Sequence, residues 1–478
     1  MSDQKQNFIG GAWVEGEPAA NINPSNTTDI IGHYARANEA QTLDAIAAAK
    51  AAFPAWSRSG PLERHAILRR ASDEILARKD ELGTLLSREE GKTLAEGIGE
   101  TVRAAQIFDF FAGEALRLTG ETVPSIRPGV GVEITREAVG VVGIITPWNF
   151  PIAIPAWKLA PALCYGNTVV FKPADLVPGC AWALVDILQR AGLPDGVLNL
   201  VMGRGSVVGQ AIVQSADVDA LTFTGSVPTG TTLAMDSAKL MRKSQMEMGG
   251  KNPFIVLADA DLDVAVDCVT QGAFFSTGQR CTASSRIIVE DAIHDQFLKA
   301  LSERISALKV GDALDPETQI GPVVDQSQLA QNEDYIRIGE AEGARLVTGG
   351  ERLNRPTEGF FQRPALFADC TNDMRIAREE IFGPVATVIR VKDYDAALEV
   401  ANDTDFGLSA GIATNSLKHA THFKRNAEAG MVMVNLPTAG VDFNVPFGGR
   451  KASSFGPREQ GRYAAEFYTT VKTAYTSA

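Results

Sequence analysis

The sequence predicts an α/β protein built from two parallel-sheet units and a small β arm, and three features carry that expectation. Its 478 residues exceed what one hydrophobic core organises, since single cores stop growing at roughly 250–300 residues. Short unbroken apolar runs alternate with helix-patterned segments, as in parallel sheets covered on both faces. A second series of the same kind begins after Gly249-Gly250.

The first third reads as helical. Residues 37–52 and 62–86 carry apolar side chains at three- and four-residue spacing, and Pro61 stands where a helix starts. Val139-Gly-Val-Val-Gly-Ile-Ile-Thr146 is the first strand of the next series, followed by a helix over 155–165. Strands over 168–172, 197–202 and 220–224 alternate with helices over 179–191 and from Ser206 and Pro228. That rhythm suits right-handed βαβ crossovers of the Rossmann type. In the second unit, strands are expected over 254–257, 286–289, 385–391 and 431–435. The tail Tyr468-Thr-Thr-Val-Lys-Thr-Ala-Tyr475 alternates like a strand exposed on one face, and with Val132-Glu-Ile-Thr-Arg136 it can form a projecting sheet. An open edge there invites pairing with another copy, so a homo-oligomer is expected. The expected division is 1–120 with 140–248 as the first unit, 249–445 as the second, and 121–139 with 446–478 as arm and tail.

Composition narrows the function classes. Hydrophobic residues make up 45% and charged residues 22%, an ordinary globular balance. The net charge of −13 repels phosphate backbones and anionic lipid, which argues against nucleic-acid and membrane partners. The most apolar run, Ala138 to Thr146, falls far short of the ~20 residues of a membrane-spanning helix. The N-terminus lacks the apolar stretch of a secretory signal, so a cytoplasmic protein is expected. The cysteines, Cys164, Cys180, Cys268, Cys281 and Cys370, are odd in number, widely spaced and without a CxxC. Neither a disulfide framework nor a metal site is expected.

Open parallel sheets bind ligands at the carboxyl ends of their strands. Those positions hold Thr146-Pro-Trp-Asn149, Lys172-Pro-Ala-Asp175, Gly203-Arg-Gly205 and Gly225-Ser-Val-Pro-Thr-Gly230. Gly225 and Gly230 bracket a strand-to-helix turn whose N–H groups suit a diphosphate, although tight turns need glycine anyway. The turn is not a Walker loop, which disfavours ATP chemistry. A lone cysteine is most often a small buried apolar residue. Cys281 differs, because it follows Gln279-Arg280 in a glycine-containing turn, and neighbouring positive charge favours the thiolate. Glu247, flanked by Met246, Met248 and Gly249, is expected to be partly desolvated and so raised toward the range of a general base.

Six motifs in order then resemble one family over nearly the whole chain. Thr146-Pro-Trp-Asn-Phe-Pro151, Phe223-Thr-Gly-Ser226, Glu247-Met-Gly-Gly-Lys251, Gly278-Gln-Arg-Cys281, Glu379-Glu-Ile-Phe-Gly-Pro384 and Pro446-Phe-Gly-Gly449 look like the aldehyde dehydrogenase superfamily. The resemblance implies a Rossmann-type cofactor domain, a second α/β catalytic domain and a β oligomerisation arm. It implies Cys281 as nucleophile, Glu247 as base for the hydrolytic water, and Asn149 as oxyanion donor, with Lys172 counted among the catalytic groups. Cofactor contacts are implied for Thr146, Pro147 and Trp148 after the first strand and for Lys172, Ala174 and Asp175 after the second. Gly205, Phe223, Gly225 and Ser226 continue that set, and Met248, Gly249, Glu380 and Phe382 complete it.

Asp175 stands where the family usually has glutamate. A carboxylate accepts from ribose hydroxyls and repels a 2′-phosphate, which leans toward NAD, while Lys172 beside it keeps NADP open. The segment from Asn435 to Gly461 is similar to a subgroup acting on α-ketoglutaric semialdehyde, with succinate-semialdehyde or broad-range aldehyde dehydrogenases as the alternative. A coenzyme A-acylating enzyme or a non-catalytic binding protein would be the rivals, and Glu247 together with Cys281 and Asn149 argues against both. An arginine that the succinate-semialdehyde relatives place on the helix after the oxyanion asparagine is replaced by Trp157. Arg280 is the expected anion anchor in its stead, the alternative being a structural ion pair. Trp157, Asn149 and Phe447 complete the expected substrate contacts.

Overall fold

The computed structural model describes residues 4–477. Its first sheet has eight strands, in the order Ser454–Phe455, Lys243–Glu247, Ala220–Thr224, Val141–Ile145, Thr168–Lys172, Leu198–Leu200, Asn7–Ile9 and Ala12–Val14. The five central strands run parallel. Val141–Ile145 comes first of these in sequence yet lies in the middle, so the direction of winding reverses beside it. A crevice opens at strand carboxyl ends at such a reversal.

The strands alternate strictly between two cores, as a pleated strand requires. Val142 and Ile144 face one cluster, with Phe108 and Phe111 of the helix Leu94–Ala115. Val141 and Ile145 face the other, with Ala45, Ile46 and Ala49 of the helix Glu39–Trp56. The second sheet has seven strands, in the order Arg345–Thr348, Ala365–Ala368, Val385–Val391, Ser284–Glu290, Asn252–Val256, Ser409–Ala413 and Met431–Val434. Only Arg345–Thr348 at its edge is antiparallel. Phe254 and Ile255 point to its opposite cores. A third sheet joins Thr469–Ser477, Val130–Ala138 and Glu121–Pro124. No helix among the described residues is long and apolar enough to cross a membrane.

Three local readings are corrected. The N-terminal stretch is not helical: Gln4–Lys5, Glu17–Asn23 and Asn26–Arg36 form their own three-stranded sheet. Its polar strands lack the apolar rhythm by which strands are read, and Asn21 is held instead by Glu89 at 2.8 Å. The helix expected over 62–86 is two, Pro61–Ala77 and Lys79–Glu90, because Arg78 leaves helical geometry at φ −103° and ψ 17°. Residues 446–478 are not arm and tail throughout. Ser454–Phe455 extends the first sheet beside Lys243–Glu247, and Ala464, Phe467 and Tyr468 pack into its core.

Candidate active site

Cys281 follows a strained turn, Phe275–Gly278, and precedes the strand Ser284–Glu290. Ser276 and Thr277 sit at φ 51° and 57°, a left-handed region that costs side-chain-bearing residues energy unless neighbours enforce it. Glu96 enforces it here, accepting from Ser276 N and Oγ at 2.9 Å each. Gly278, at φ +64°, lies so close to Gly383 O that a Cβ would fall 2.3 Å from it. The following residue is anchored at both ends: Gln279 Oε1 accepts from Val324 N at 3.0 Å, and Gln279 O accepts from Asn149 Nδ2 at 3.0 Å. An amide has two N–H donors, so Asn149 keeps one for a ligand.

Among the described residues Cys281 alone lines both of two cavities, a cleft of about 700 Å³ and a pocket of about 400 Å³. The cleft gathers Pro147, Trp148, Asn149, Gly225, Ser226, Met248, Gly249, Glu380 and Phe382. Trp148 meets Phe382 edge to face at 5.4 Å. Ser226 turns its hydroxyl to Thr229 Oγ1 at 3.0 Å, leaving the first turn of the helix Val227–Lys239 without a side-chain cap. Uncapped N–H groups at a helix start suit a diphosphate, so the cleft fits a dinucleotide. Glu380 Oε1 accepts from Gly250 N at 2.8 Å. Its other oxygen stands where a Cβ on Gly249 would be, 2.0 Å away.

Thr146, Lys172, Ala174, Asp175, Gly205 and Phe223 lie outside that lining. Lys172 is buried, donates to Pro173 O at 2.8 Å, and has its pKa lowered to about 8 by burial. Asp175 is gripped by Arg36 at 3.0 and 2.6 Å. A ribose there would share the carboxylate with a guanidinium.

Glu247 ends the strand Lys243–Glu247, registered between Thr224 and Ser454 and 2% exposed. Ser454 Oγ donates to its Oε2 at 2.6 Å. Burial, and then the Glu459 carboxylate, hold its pKa well above the usual carboxylate range. Glu459 itself is ion-paired with Lys158, whose Nζ also donates to Thr222 Oγ1 at 2.7 Å. Burial likewise pushes the Cys281 thiol up to about 12, with Glu380 and Glu247 adding and the N–H groups of Thr282 and Cys281 opposing. The expectation that Arg280 activates the thiol is therefore corrected. Its guanidinium turns away to Glu96 Oε1 at 3.0 Å and Ser276 Oγ at 2.8 Å, the structural ion pair that was the alternative reading.

Arg280, Trp157 and Phe447 do line the pocket, with the Trp157 and Phe447 rings 5.4 Å apart. Sequence reasoning missed most of the remaining wall. Lys92 Nζ donates to Glu100 Oε2 and to the Asn149 carbonyl at 2.7 Å each, 3.9 Å from the Phe150 ring centroid. Glu100 Oε1 accepts from Ile152 and Ala153 N at 3.1 Å, so this pair fixes the turn that carries Asn149. One signal was available: Glu96, Glu100 and Arg103 are spaced to share one helix face. Beside Glu459 and outside the pocket wall, Lys158 offered another, a lysine inside the apolar run Ala153–Cys164, every residue of which is buried.

Comparison with known proteins shows the family and the fold. The profile described as the aldehyde dehydrogenase family matches residues 13–474. The α-ketoglutarate semialdehyde dehydrogenase of Haloferax volcanii is 44% identical, covering 100% of both chains. The α-ketoglutaric semialdehyde dehydrogenase of Bacillus subtilis is 43% identical over 98% of this chain and 97% of its own. A betaine aldehyde dehydrogenase of Staphylococcus aureus, solved in complex with NAD+, superposes with a TM-score of 0.97 at 34% identity, covering 99% of this chain and 95% of that one.

Proposed function

The chain belongs to the aldehyde dehydrogenase family, and from that premise we propose that it oxidises α-ketoglutaric semialdehyde to 2-oxoglutarate with NAD, NADP remaining open. The observation that carries the reading is Cys281 at the junction of the cleft and the pocket. A thiol there can hold a substrate from one side against a cofactor from the other. The names of the Haloferax and Bacillus relatives support the choice of semialdehyde.

In this reading Cys281, its thiol proton given up to solvent, attacks the aldehyde carbon as the thiolate, and the free N–H of Asn149 with the Cys281 N–H takes the developing oxyanion. Trp148, Ser226, Glu380 and Phe382 would hold a nicotinamide dinucleotide in the cleft, where that group would supply the hydride acceptor. A thioester remains on Cys281. Glu247, once deprotonated, takes a proton from water, which attacks the thioester and frees the acid. The proton has an onward neighbour in the Glu459–Lys158 pair.

We also propose a homo-oligomer joined through the arm. Among the described residues the strand Thr469–Ser477 pairs on one side only, and eight of its nine residues are exposed. A cytoplasmic setting is proposed from the five unpaired cysteines.

The test is reduced-nicotinamide formation by the purified chain with α-ketoglutaric semialdehyde, succinic semialdehyde and pentanal, each with NAD and with NADP. A kcat/KM highest for the first, with 2-oxoglutarate as product, is the expected result. Pentanal used equally well would remove the acidic substrate, and acyl-CoA formed on adding coenzyme A would replace water as acceptor.

A further inference from the structure

The pocket holds more hydrogen-bonding capacity than the protein uses. Four side chains on its wall carry a buried donor without a protein partner: Arg103 Nε, Trp157 Nε1, Arg280 Nε and Gln460 Nε2. Buried polar groups are bonded in the great majority of cases. Four unspent donors in one pocket match a ligand rich in acceptor oxygens.

The cations on the wall are not equivalent. Lys92 is committed to Glu100 and Arg280 to Glu96. Arg103, further along the same helix Leu94–Ala115, bonds only the Val441 carbonyl among the described residues. Asp442 and Glu100 act on it from beyond contact distance, and burial outweighs them. The helix therefore spends Glu100 and Glu96 on the cations beside Asn149 and Cys281. It leaves the charge of Arg103, with most of its five donors, uncompensated.

Gln460, one of those four, adds an observation of its own in its backbone. It is 1% exposed, and neither Oε1 nor Nε2 has a partner. Its backbone stands at φ 60° and ψ 169°, a region that side-chain-bearing residues enter only where neighbours force them, often at ligand clamps. The forcing is visible: Glu459 exchanges backbone bonds with Phe447 at 2.8 and 2.9 Å while its carboxylate holds Lys158. Gln460, the residue that follows, lines the pocket.

We propose that Arg103 grips the terminal carboxylate of the substrate and that Gln460 donates to the adjacent 2-oxo oxygen, so that together they select 2-oxo acid semialdehydes. The inference rests on the substrate reading above and assigns its recognition to named atoms. A guanidinium fork matches the two carboxylate oxygens. An amide N–H matches a ketone, and the Trp157 indole N–H stands by as a further donor on the same wall.

The experiment measures kcat/KM for wild type, Arg103→Met, Arg103→Lys and Gln460→Leu, normalised to the active sites counted by a reduced-nicotinamide burst. The substrates are α-ketoglutaric semialdehyde, glutaric semialdehyde (the carboxylate without the ketone) and pentanal (neither). Arg103→Met is expected to lower the preference for either acid over pentanal by about tenfold to a hundredfold. Arg103→Lys, which keeps the charge and loses the fork, falls between. Gln460→Leu is expected to lower the preference for the keto acid over glutaric semialdehyde by about tenfold. Wild type without preference for acids would remove the substrate reading itself. Wild-type preference that survives in Arg103→Met would overturn the role of Arg103 alone, and a keto preference unchanged in Gln460→Leu would overturn that of Gln460. If Arg103→Met yields no active sites, the Arg103→Lys ratios decide in its place, an unchanged ratio counting against the grip.

Discussion

The two cavities that meet at Cys281 are built from different materials. The cleft is walled by strand ends and turns: Pro147, Trp148 and Asn149 after one strand, Gly225 and Ser226 after another, Met248 and Gly249 after a third. What it offers a ligand is backbone N–H and close approach. The pocket is walled by residues of the helices Leu94–Ala115 and Ala153–Cys164, by Lys92 and Phe150 just before them, and by the Cys281 turn and the C-terminal segment, among them Arg103, Arg280 and Gln460. In the proposed reading cofactor binding and substrate choice fall to different walls, which among the described residues share Cys281 as a lining residue. Substitutions should separate them.

The largest effect should come at the junction. Cys281→Ala is expected to abolish turnover, by about a thousandfold or more, while cofactor affinity read by fluorescence titration stays within a few-fold. Residual turnover near wild type would remove the nucleophile, and lost cofactor binding would show that the two sides are not separable. Glu247→Gln should cost about 10²–10⁴ in the steady state and leave the first-turnover burst. Its pH behaviour has a definite sign. Burial and Glu459 raise the Glu247 pKa, so the carboxylate stays protonated above the usual range and becomes a base only as pH rises through its raised value. Steady-state hydrolysis should therefore climb with pH along a limb that the glutamine variant lacks. The burst should keep its own rise, because the thiol also ionises far up, at about 12. A burst that disappears with the limb would place Glu247 before thioester formation.

Asn149→Ala should follow, at about 10²–10³ in kcat from the loss of one oxyanion donor. Rapid-quench measurement of acylation reads it. The loss should be alike for charged and uncharged aldehydes, since the amide addresses the reacting oxygen and not the far end of the chain.

The contrast between the two walls also explains what the sequence made legible. The sheet of the cofactor side announces itself through buried runs such as Thr168–Lys172 and through the turns after them, because strand, turn and ligand contact are neighbours in the chain. Glu247 was visible as a desolvated acid, yet its strand was not, since Lys243, Ser244 and Gln245 break the apolar pattern that marks buried strands. The pocket wall was almost silent. Lys92 and Arg103 meet Gln460 on one wall only through folding across hundreds of positions, and the helix face shared by Glu96, Glu100 and Arg103 is the one local sign that sets Arg103 apart from a solvated helix arginine. The strain at Gln460 has no signature in composition at all. Arg280 shows the opposite error: adjacency to Cys281 in the chain suggested electrostatic help that the side chain, turned to Glu96, does not give.

Arg280 therefore provides the smallest and most discriminating test. Its guanidinium is 16% exposed and its partner Glu96 19%, and Glu96 also holds both bonds that pin Ser276 in its strained turn. Removing the arginine leaves that carboxylate half-compensated and loosens the base on which Cys281 stands. Arg280→Ala should lower stability by about 1–3 kcal/mol, read as a lower urea midpoint. It should also lower kcat/KM by a similar modest factor for α-ketoglutaric semialdehyde and for pentanal. A KM that rises for the acid alone would return the anion anchor to Arg280 and take it from Arg103, because a group that only supports the turn cannot distinguish a substrate's far end.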